Sequence, residues 1–125
     1  MNYTVIVPFY NEAKNISSFN NELINNLKKI NNGKRNLEIV YVDDGSIDET
    51  FSELKKLSIN TVDTLIIKHR TNLSQSAAIN TGIGQSKYEN IVIMDGDLQN
   101  DPNDLAKMVS EFEKGTDMLI GWRKH

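Results

Sequence analysis

The sequence contains no cysteine, which excludes disulfide bonds and thiolate chemistry. Apolar runs are short, and none approaches the length that would span a bilayer. The formal net charge of −3 excludes a general electrostatic attraction to nucleic acid, so no nucleic-acid partner is expected. Met1 is not followed by a basic segment and a long apolar stretch, as a secretory signal would be. The expected location is therefore the cytoplasm.

The rest of the composition is that of an ordinary globular protein, with 38% hydrophobic and 25% charged residues. A chain of 125 residues corresponds to one domain, so we expect a single domain over residues 1–125. That length can bury a hydrophobic core without disulfides or structural metals.

Short apolar runs rich in β-branched residues alternate with segments whose apolar residues recur every three or four positions. This order predicts an α/β fold, a parallel-type twisted sheet with helices on both faces. The strands are predicted at 3–7, 37–42, 64–67, 91–94 and 118–120. Four helices are predicted. The buried face of the first consists of Ile16, Phe19, Leu23, Leu27 and Ile30, and that of the second of Phe51, Leu54 and Leu57, with Asp48 as its N-cap. The third covers 76–83, and the fourth begins at Asp101-Pro102 and buries Leu105, Met108, Val109 and Phe112.

Parallel strands all end at one edge of a sheet, and ligands bind at that edge. The segments after the predicted strands should therefore converge in space. Two acidic clusters, one basic cluster and an aromatic side chain would share a cleft there, which suits a metal-bound phosphate ligand that carries a flat ring. These segments are Pro8–Glu12, Asp43–Ser46, Lys68–Arg70 and Asp95–Gln99.

Asp95-Gly96-Asp97 follows the fourth predicted strand. Two carboxylates one residue apart can hold a hard divalent cation, which prefers oxygen ligands, and Gly96 lets the backbone approach closely. Mg²⁺ or Mn²⁺ in this position would bridge a diphosphate. The alternative is an acidic turn before a helix, although the first acid placed to cap that helix is Asp101. We predict a metal site here.

Asp43-Asp44-Gly45-Ser46 lies between the second strand and its helix. A carboxylate in this position can accept a hydrogen bond from a base N–H or a ribose hydroxyl. The alternative is a glycine turn with acids near a helix N-terminus, which the helix dipole favours. Two adjacent acids exceed what a turn requires, so we predict that Asp43 and Asp44 contact a ligand.

Three further residues at the same edge suit a nucleotide. Tyr10 can pack on a base, Glu12 can bind a ribose hydroxyl, and Arg70 can make a bidentate phosphate contact. Each also has a simpler explanation. Tyr10 can be ordinary loop packing, and Glu12 can favour the first turn of a helix that Asn11 caps. Charged residues on a strand-end loop, such as Arg70, are usually just solvated.

The motifs together resemble family 2 glycosyltransferases of the GT-A fold. The segments that carry the resemblance are Val7–Glu12, Val42–Ser46, Arg70–Ala78, Met94–Gln99 and Gly121–Arg123. Residues 97–102 are most similar to the dolichol- and undecaprenyl-phosphate sugar transferase branch, and 70–78 and Gly121–Arg123 also resemble it. The resemblance implies a Rossmann-like nucleotide-binding half that takes a UDP- or GDP-sugar. It implies inverting transfer of the sugar to an acceptor such as a polyprenyl phosphate. Gly96 stands where the family more often has alanine, a difference expected to be harmless.

The resemblance also implies a role for each site residue. Pro8, Tyr10 and Glu12 would line the nucleoside pocket, and Asp44 would bind the base with Asp43 nearby. Arg70 would orient the nucleotide. The metal and diphosphate site would consist of Asp95, Asp97 and Gln99.

Several alternatives stay open at this point. The resemblance implies that the chain ends before the acceptor-binding half, so no catalytic base is named and a non-catalytic nucleotide-sugar-binding remnant is one alternative. A peripheral membrane association would then depend on the missing C-terminal part. A homo-oligomer is also left open, because a short sheet can expose an apolar edge. A receiver-type signalling domain would need its acidic pair after the first strand, where this chain has Val7-Pro8-Phe9.

Overall fold

The computed structural model describes residues 2–31, 35–57, 62–96 and 104–114. Four strands form one parallel sheet in the order β3-β2-β1-β4. The predicted fifth strand and the predicted start of the last helix lie outside the described residues. No helix in the described ranges is long and apolar enough to cross a membrane. The elements are β1 (Asn2–Phe9), α1 (Ile16–Ile30, after a 3₁₀ turn at Ala13–Asn15), β2 (Asn36–Asp43), α2 (Thr50–Lys55), β3 (Asp63–Lys68), α3 (Gln75–Gln85), β4 (Asn90–Ile93) and α4 (Asp104–Glu113).

The strand register brings the carboxyl ends of the first three strands to one level. Phe9 at the end of β1 pairs with Asp43, which in turn pairs with Lys68 at the end of β3. On the other side of β1, Ile6 pairs with Ile93 at the end of β4. The loops that follow the four strands therefore leave from the same edge of the sheet.

The main core lies between one face of the sheet and α1, α2 and α4. All five residues of the predicted α1 face are buried, which confirms the helical period read from the sequence. This cluster also holds Leu54 from α2 and Leu105 from α4, with Met108 and Phe112 packed against it.

The opposite face of the sheet is covered by α3. A smaller cluster there joins Ile6, Val40 and Val42 to Ala78 of α3. Both faces of the central strands are thus buried, as expected for near-continuous apolar strands. The predicted α/β architecture with helices on both faces is confirmed.

A charged cluster ties α4 to the amino ends of the strands. The Tyr3 hydroxyl donates to Glu113 Oε2 over 2.7 Å, and Arg35 Nε and Nη2 donate to the two carboxylate oxygens of Glu113 over 2.9 and 2.6 Å. The Arg35 hydrogen bonds, followed by that of Tyr3, lower the pKa of Glu113 from its ordinary 4.5 to about 2. The cluster lies at the end of the sheet opposite the strand-end loops.

We expect the Glu113 carboxylate to make stability depend on acidic pH. Because its pKa is lower in the folded state, its contribution is complete above about pH 4.5 and is lost as the pH falls towards about 2. Urea midpoints measured from pH 6 to pH 2 should therefore fall less steeply in Glu113→Gln than in the wild type. Glu111→Gln on the same helix, whose exposed partner is Lys114 at 3.9 Å, is the matched control. Equal pH slopes for Glu113→Gln and the wild type would contradict this role.

Candidate functional site

A cavity of about 300 Å³ opens at the carboxyl edge of the sheet. Its walls come from the ends of the strands and from the loops that follow them, as the parallel topology requires. One wall is the first turn of α3. The lining residues are Pro8, Phe9, Tyr10, Glu12, Asp44, Asn72, Ser74, Gln75 and Asp95.

Most of the residues predicted to contact a nucleotide sugar meet in this cavity. Pro8, Tyr10, Glu12, Asp44 and Asp95 all line it. Arg70 and Asp43 do not: Arg70 is exposed outside the lining, and Asp43 is fully buried behind it. The predicted metal ligands Asp97 and Gln99 lie outside the described residues.

The Asp44 carboxylate is extensively hydrogen-bonded at the wall of the cavity. It is 3% exposed and accepts three hydrogen bonds from the segment after β3. Oδ1 accepts from His69 Nδ1 over 2.9 Å and from the Leu73 backbone N–H over 3.0 Å, and Oδ2 accepts from Asn72 Nδ2 over 2.9 Å. Asp44 therefore fixes the 69–73 loop against the end of β2.

His69 links this carboxylate to α3. Its Nδ1 donates to Asp44, and its Nε2 lies 2.8 Å from the hydroxyl of Thr81, which donates to the Ala77 carbonyl over 3.0 Å. The sequence identified His69 only as part of a basic cluster and gave no sign of this partner. Asn72, Ser74 and Gln75 were not predicted as site residues, although they lie in the segment 70–78 that resembles the family.

Asp43 organises the loop between β2 and α2. Its Oδ1 accepts from the Ser46 backbone N–H over 3.1 Å and from the Ser46 hydroxyl. Its Oδ2 is buried and has no hydrogen-bond partner among the described residues. The side chain stabilises a turn and is not among the described residues that line the cavity.

Four hydrogen bonds join this loop to the loop after β1. The Asn11 N–H donates to Ser46 Oγ over 2.9 Å, and Asn11 Oδ1 accepts from the Ile47 N–H over 3.0 Å. The Glu12 N–H donates to Thr50 Oγ1 over 2.9 Å, and the Ala13 N–H donates to an Asp48 carboxylate oxygen over 3.4 Å. Asn11 adopts a φ of 53°, a left-handed conformation that asparagine tolerates better than most residues. These hydrogen bonds fix the backbone directly after Tyr10 and at Glu12 and its two neighbours.

Among the described residues, the cavity lining offers carboxylate oxygens and no cationic side chain. These are the ligands that a hard divalent cation prefers, so the donor set fits such an ion. Within the part of the chain that the structure describes, no group of three acidic or histidine side chains is arranged to hold a metal. A complete site would therefore require ligands from outside the described ranges.

The parallel sheet with helices on both faces is an α/β fold, and the solved structures similar to it are GT-A glycosyltransferases. The mannosyltransferase PcManGT from Pyrobaculum calidifontis, solved with GDP-Man and Mn²⁺, is similar over 86% of this chain and 31% of its own, with a TM-score of 0.69 and 28% identity. TarS of S. aureus, solved with UDP-GlcNAc, is similar over 91% of this chain and 31% of its own, with a TM-score of 0.68 and 25% identity.

The chain belongs to glycosyl transferase family 2, whose family model matches residues 4–125. It is 34% identical over 124 residues to the dodecaprenyl-phosphate galacturonate synthase of Rhizobium johnstonii, a match to 98% of this chain and 36% of that protein. It is 32% identical over 123 residues to the dolichol-phosphate mannosyltransferase of Pyrococcus furiosus, which covers 98% of this chain and 33% of that protein. The chain thus spans about a third of the length of these relatives. Family membership excludes the receiver-domain alternative.

Proposed function

We propose that this chain binds a nucleoside-diphosphate sugar in its strand-end cavity and forms the donor-binding part of an inverting glycosyltransferase. The observation that carries the proposal is the convergence of Tyr10, Glu12, Asp44 and Asp95 on one cavity. These residues then lie along the path of one extended ligand. Tyr10 supplies an aromatic ring and Glu12 a carboxylate for the ribose. Asp44 supplies a carboxylate for the base, and Asp95 a ligand for the metal. The similarity to structures solved with GDP-Man and with UDP-GlcNAc supports this class of donor.

The hydrogen bonds of Asp44 limit how it can contact a base. Each carboxylate oxygen has two lone pairs, and both on Oδ1 are occupied by His69 and Leu73. Oδ2 accepts only from the Asn72 side chain among the described residues, so one lone pair remains for a ligand. We assign Oδ2 as the acceptor for a base N–H, with Tyr10, 43% exposed, packing on the ring.

A divalent cation, Mg²⁺ or Mn²⁺, would be held by Asp95 together with Asp97 and Gln99. It would supply positive charge beside the diphosphate of the donor. In the reaction an acceptor phosphate oxygen forms a bond to the anomeric carbon, and the bond from that carbon to the diphosphate oxygen breaks. The nucleoside diphosphate leaves with the electron pair. Glu12 and Tyr10 orient the nucleoside during this step, and Arg70 from the exposed loop is assigned a phosphate contact.

The names of the relatives favour a polyprenyl phosphate as acceptor. Such a lipid lies in a membrane, so the reaction would occur at the cytoplasmic face with the protein peripheral to the bilayer. The acceptor site would come from the part of the longer relatives that this chain does not span. A non-catalytic donor-binding unit is the alternative, and turnover with a polyprenyl phosphate would separate the two.

Calorimetric titration of the chain with UDP-GlcNAc and GDP-Man, with and without Mn²⁺, tests the proposal. We expect one of the two donors to bind, and to bind at least about tenfold more tightly with Mn²⁺, because the ion neutralises charge on the diphosphate. Asp95→Ala and Asp97→Ala should each remove the Mn²⁺ dependence. Asp63→Asn, an exposed acid paired with Lys87 at the opposite end of β3, is the matched control. Mn²⁺-dependent binding that survived Asp97→Ala would contradict the metal assignment.

A further inference from the structure

Gly96 lies directly against the ring of Phe9. A Cβ atom added to Gly96 would stand 2.2 Å from Phe9 Cε1 and 2.3 Å from Phe9 Cδ1. Carbon atoms in van der Waals contact are about 3.5–4.0 Å apart, so alanine fits here only if the ring or the backbone moves. Gly96 is itself buried, so the added methyl group cannot point into solvent.

The Phe9 ring is held from two other sides and cannot easily move away. It is 2% exposed. Its centroid lies 5.6 Å from that of Phe19 in an edge-to-face contact and 5.3 Å from that of Tyr41. The Tyr41 hydroxyl in turn donates to Asn20 Oδ1 over 2.7 Å, which fixes that ring as well. Interiors packed in this way resist displacement, so a larger residue 96 would shift the backbone.

The same contact lies next to the predicted metal ligand. Asp95 is preceded by Met94, whose N–H donates to the Ile6 carbonyl on β1 over 2.9 Å. It is followed by Gly96 on the Phe9 ring, and both Asp95 and Phe9 line the cavity. The backbone of Asp95 is therefore held by β1 on both sides, once through a hydrogen bond and once through an aromatic ring.

We propose that Phe9 is a positioning residue for Asp95 and that Phe9 and Gly96 act as one coupled pair. The Phe9 ring occupies the volume that a Cβ atom of residue 96 would need. The position of the ring determines how far the Asp95 carboxylate reaches into the cavity. The proposal rests on the proposed function, since it assigns a purpose to the position of that carboxylate. It requires that a larger residue 96 be accepted only when residue 9 becomes smaller.

A double-mutant cycle tests this coupling. The wild type, Gly96→Ala, Phe9→Val and the double variant are titrated, in Mn²⁺, with whichever of UDP-GlcNAc and GDP-Man the wild type binds. We expect Gly96→Ala to weaken Mn²⁺-dependent binding about tenfold, and the double variant to bind within about threefold of Phe9→Val. Binding without Mn²⁺ should change much less, which a general loss of structure would not produce. Gly84→Ala in α3, where an added Cβ meets nothing within 4 Å, is the matched control.

A second readout needs no ligand. The backbone amide signals of Asp95 and Phe9 in a ¹H–¹⁵N spectrum should shift in Gly96→Ala and return towards the positions of Phe9→Val in the double variant. If Gly96→Ala does not fold, recovery of a folded spectrum in the double variant supports the pair. Unmoved signals in a folded Gly96→Ala, or a double variant no better than Gly96→Ala, would overturn the proposal even if the wild type bound no donor. Absence of donor binding with a coupled spectrum would contradict only the proposed function.

Discussion

Replacing Gly45 with alanine is expected to lower the free energy of unfolding by about 2–5 kcal/mol. Gly45 has a φ of +72°, a left-handed conformation that an L-alanine adopts only at a cost. A Cβ atom at this position would also stand 2.2 Å from the carbonyl carbon of Thr71 and 2.4 Å from the amide nitrogen of Asn72. Both are backbone atoms, so no side-chain rotation can relieve the contact.

The two causes of this loss can be separated with a second variant. Asparagine tolerates the left-handed conformation but still carries a Cβ atom, so Gly45→Asn should recover little of the stability. The measurement is urea unfolding followed by circular dichroism, with Gly84→Ala as the control that should be neutral or stabilising by up to about 1 kcal/mol. An asparagine variant close to the wild type would show that φ alone matters. An alanine variant close to the wild type would refute the close approach of the two loops.

This contact has a consequence for the cavity. The backbone that Gly45 touches carries Asn72, which lines the cavity and donates to both the backbone and side-chain oxygens of Asp44. A side chain at position 45 would therefore push the 69–73 loop away from Asp44. Stability and donor binding should fall together in Gly45→Ala.

The strands, the helix faces and the common edge could be predicted because they follow from short-range periodicity. Ile16, Phe19, Leu23, Leu27 and Ile30 share a face for geometric reasons that hold in any helix, and parallel strands place their ends together in any such sheet. Asp48 is an intermediate case. The predicted N-cap role is wrong, because Glu49 occupies the N-cap position of α2 and makes no side-chain cap hydrogen bond. Asp48 stands one residue earlier, where its Oδ1 accepts from the Thr50 N–H over 2.9 Å and its Oδ2 accepts from the Ala13 N–H in a different loop.

The partners inside the cavity could not be predicted, because they depend on loop conformations that bring distant residues together. His69 meets Asp44 across 25 positions, and Asn11 meets Ser46 across 35. Neither pair has a period or a motif spacing. The importance of Gly96 could not be predicted from the sequence either. The sequence suggests that glycine in place of the family's more frequent alanine is harmless, and only the position of the Phe9 ring gives the glycine a physical reason.

We expect Asp44→Ala to lose both stability and donor binding, and to be the most damaging single change at the cavity lining. The substitution removes the acceptor of His69 Nδ1 and of the Leu73 N–H, and it leaves Asn72 Nδ2 only its bond to the Asp44 backbone carbonyl. Hydrogen bonds to a charged group contribute about 1.5–3 kcal/mol each, and relaxation of the loop towards water recovers part of that loss. The expected net effect is about 3–5 kcal/mol.

Comparison with Tyr10→Ala separates the two roles of Asp44. Tyr10 lines the same cavity but is 43% exposed, so its removal should weaken donor binding while the free energy of unfolding changes by less than about 1 kcal/mol. Asp44→Asn keeps the shape of the side chain but puts an NH₂ group towards either Asn72 or the His69 and Leu73 donors. We expect it to lie between the wild type and Asp44→Ala in urea unfolding. An Asp44→Ala protein with wild-type stability would mean that the 69–73 loop is held by contacts other than this carboxylate. Loss of binding in that protein would then report the ligand contact alone.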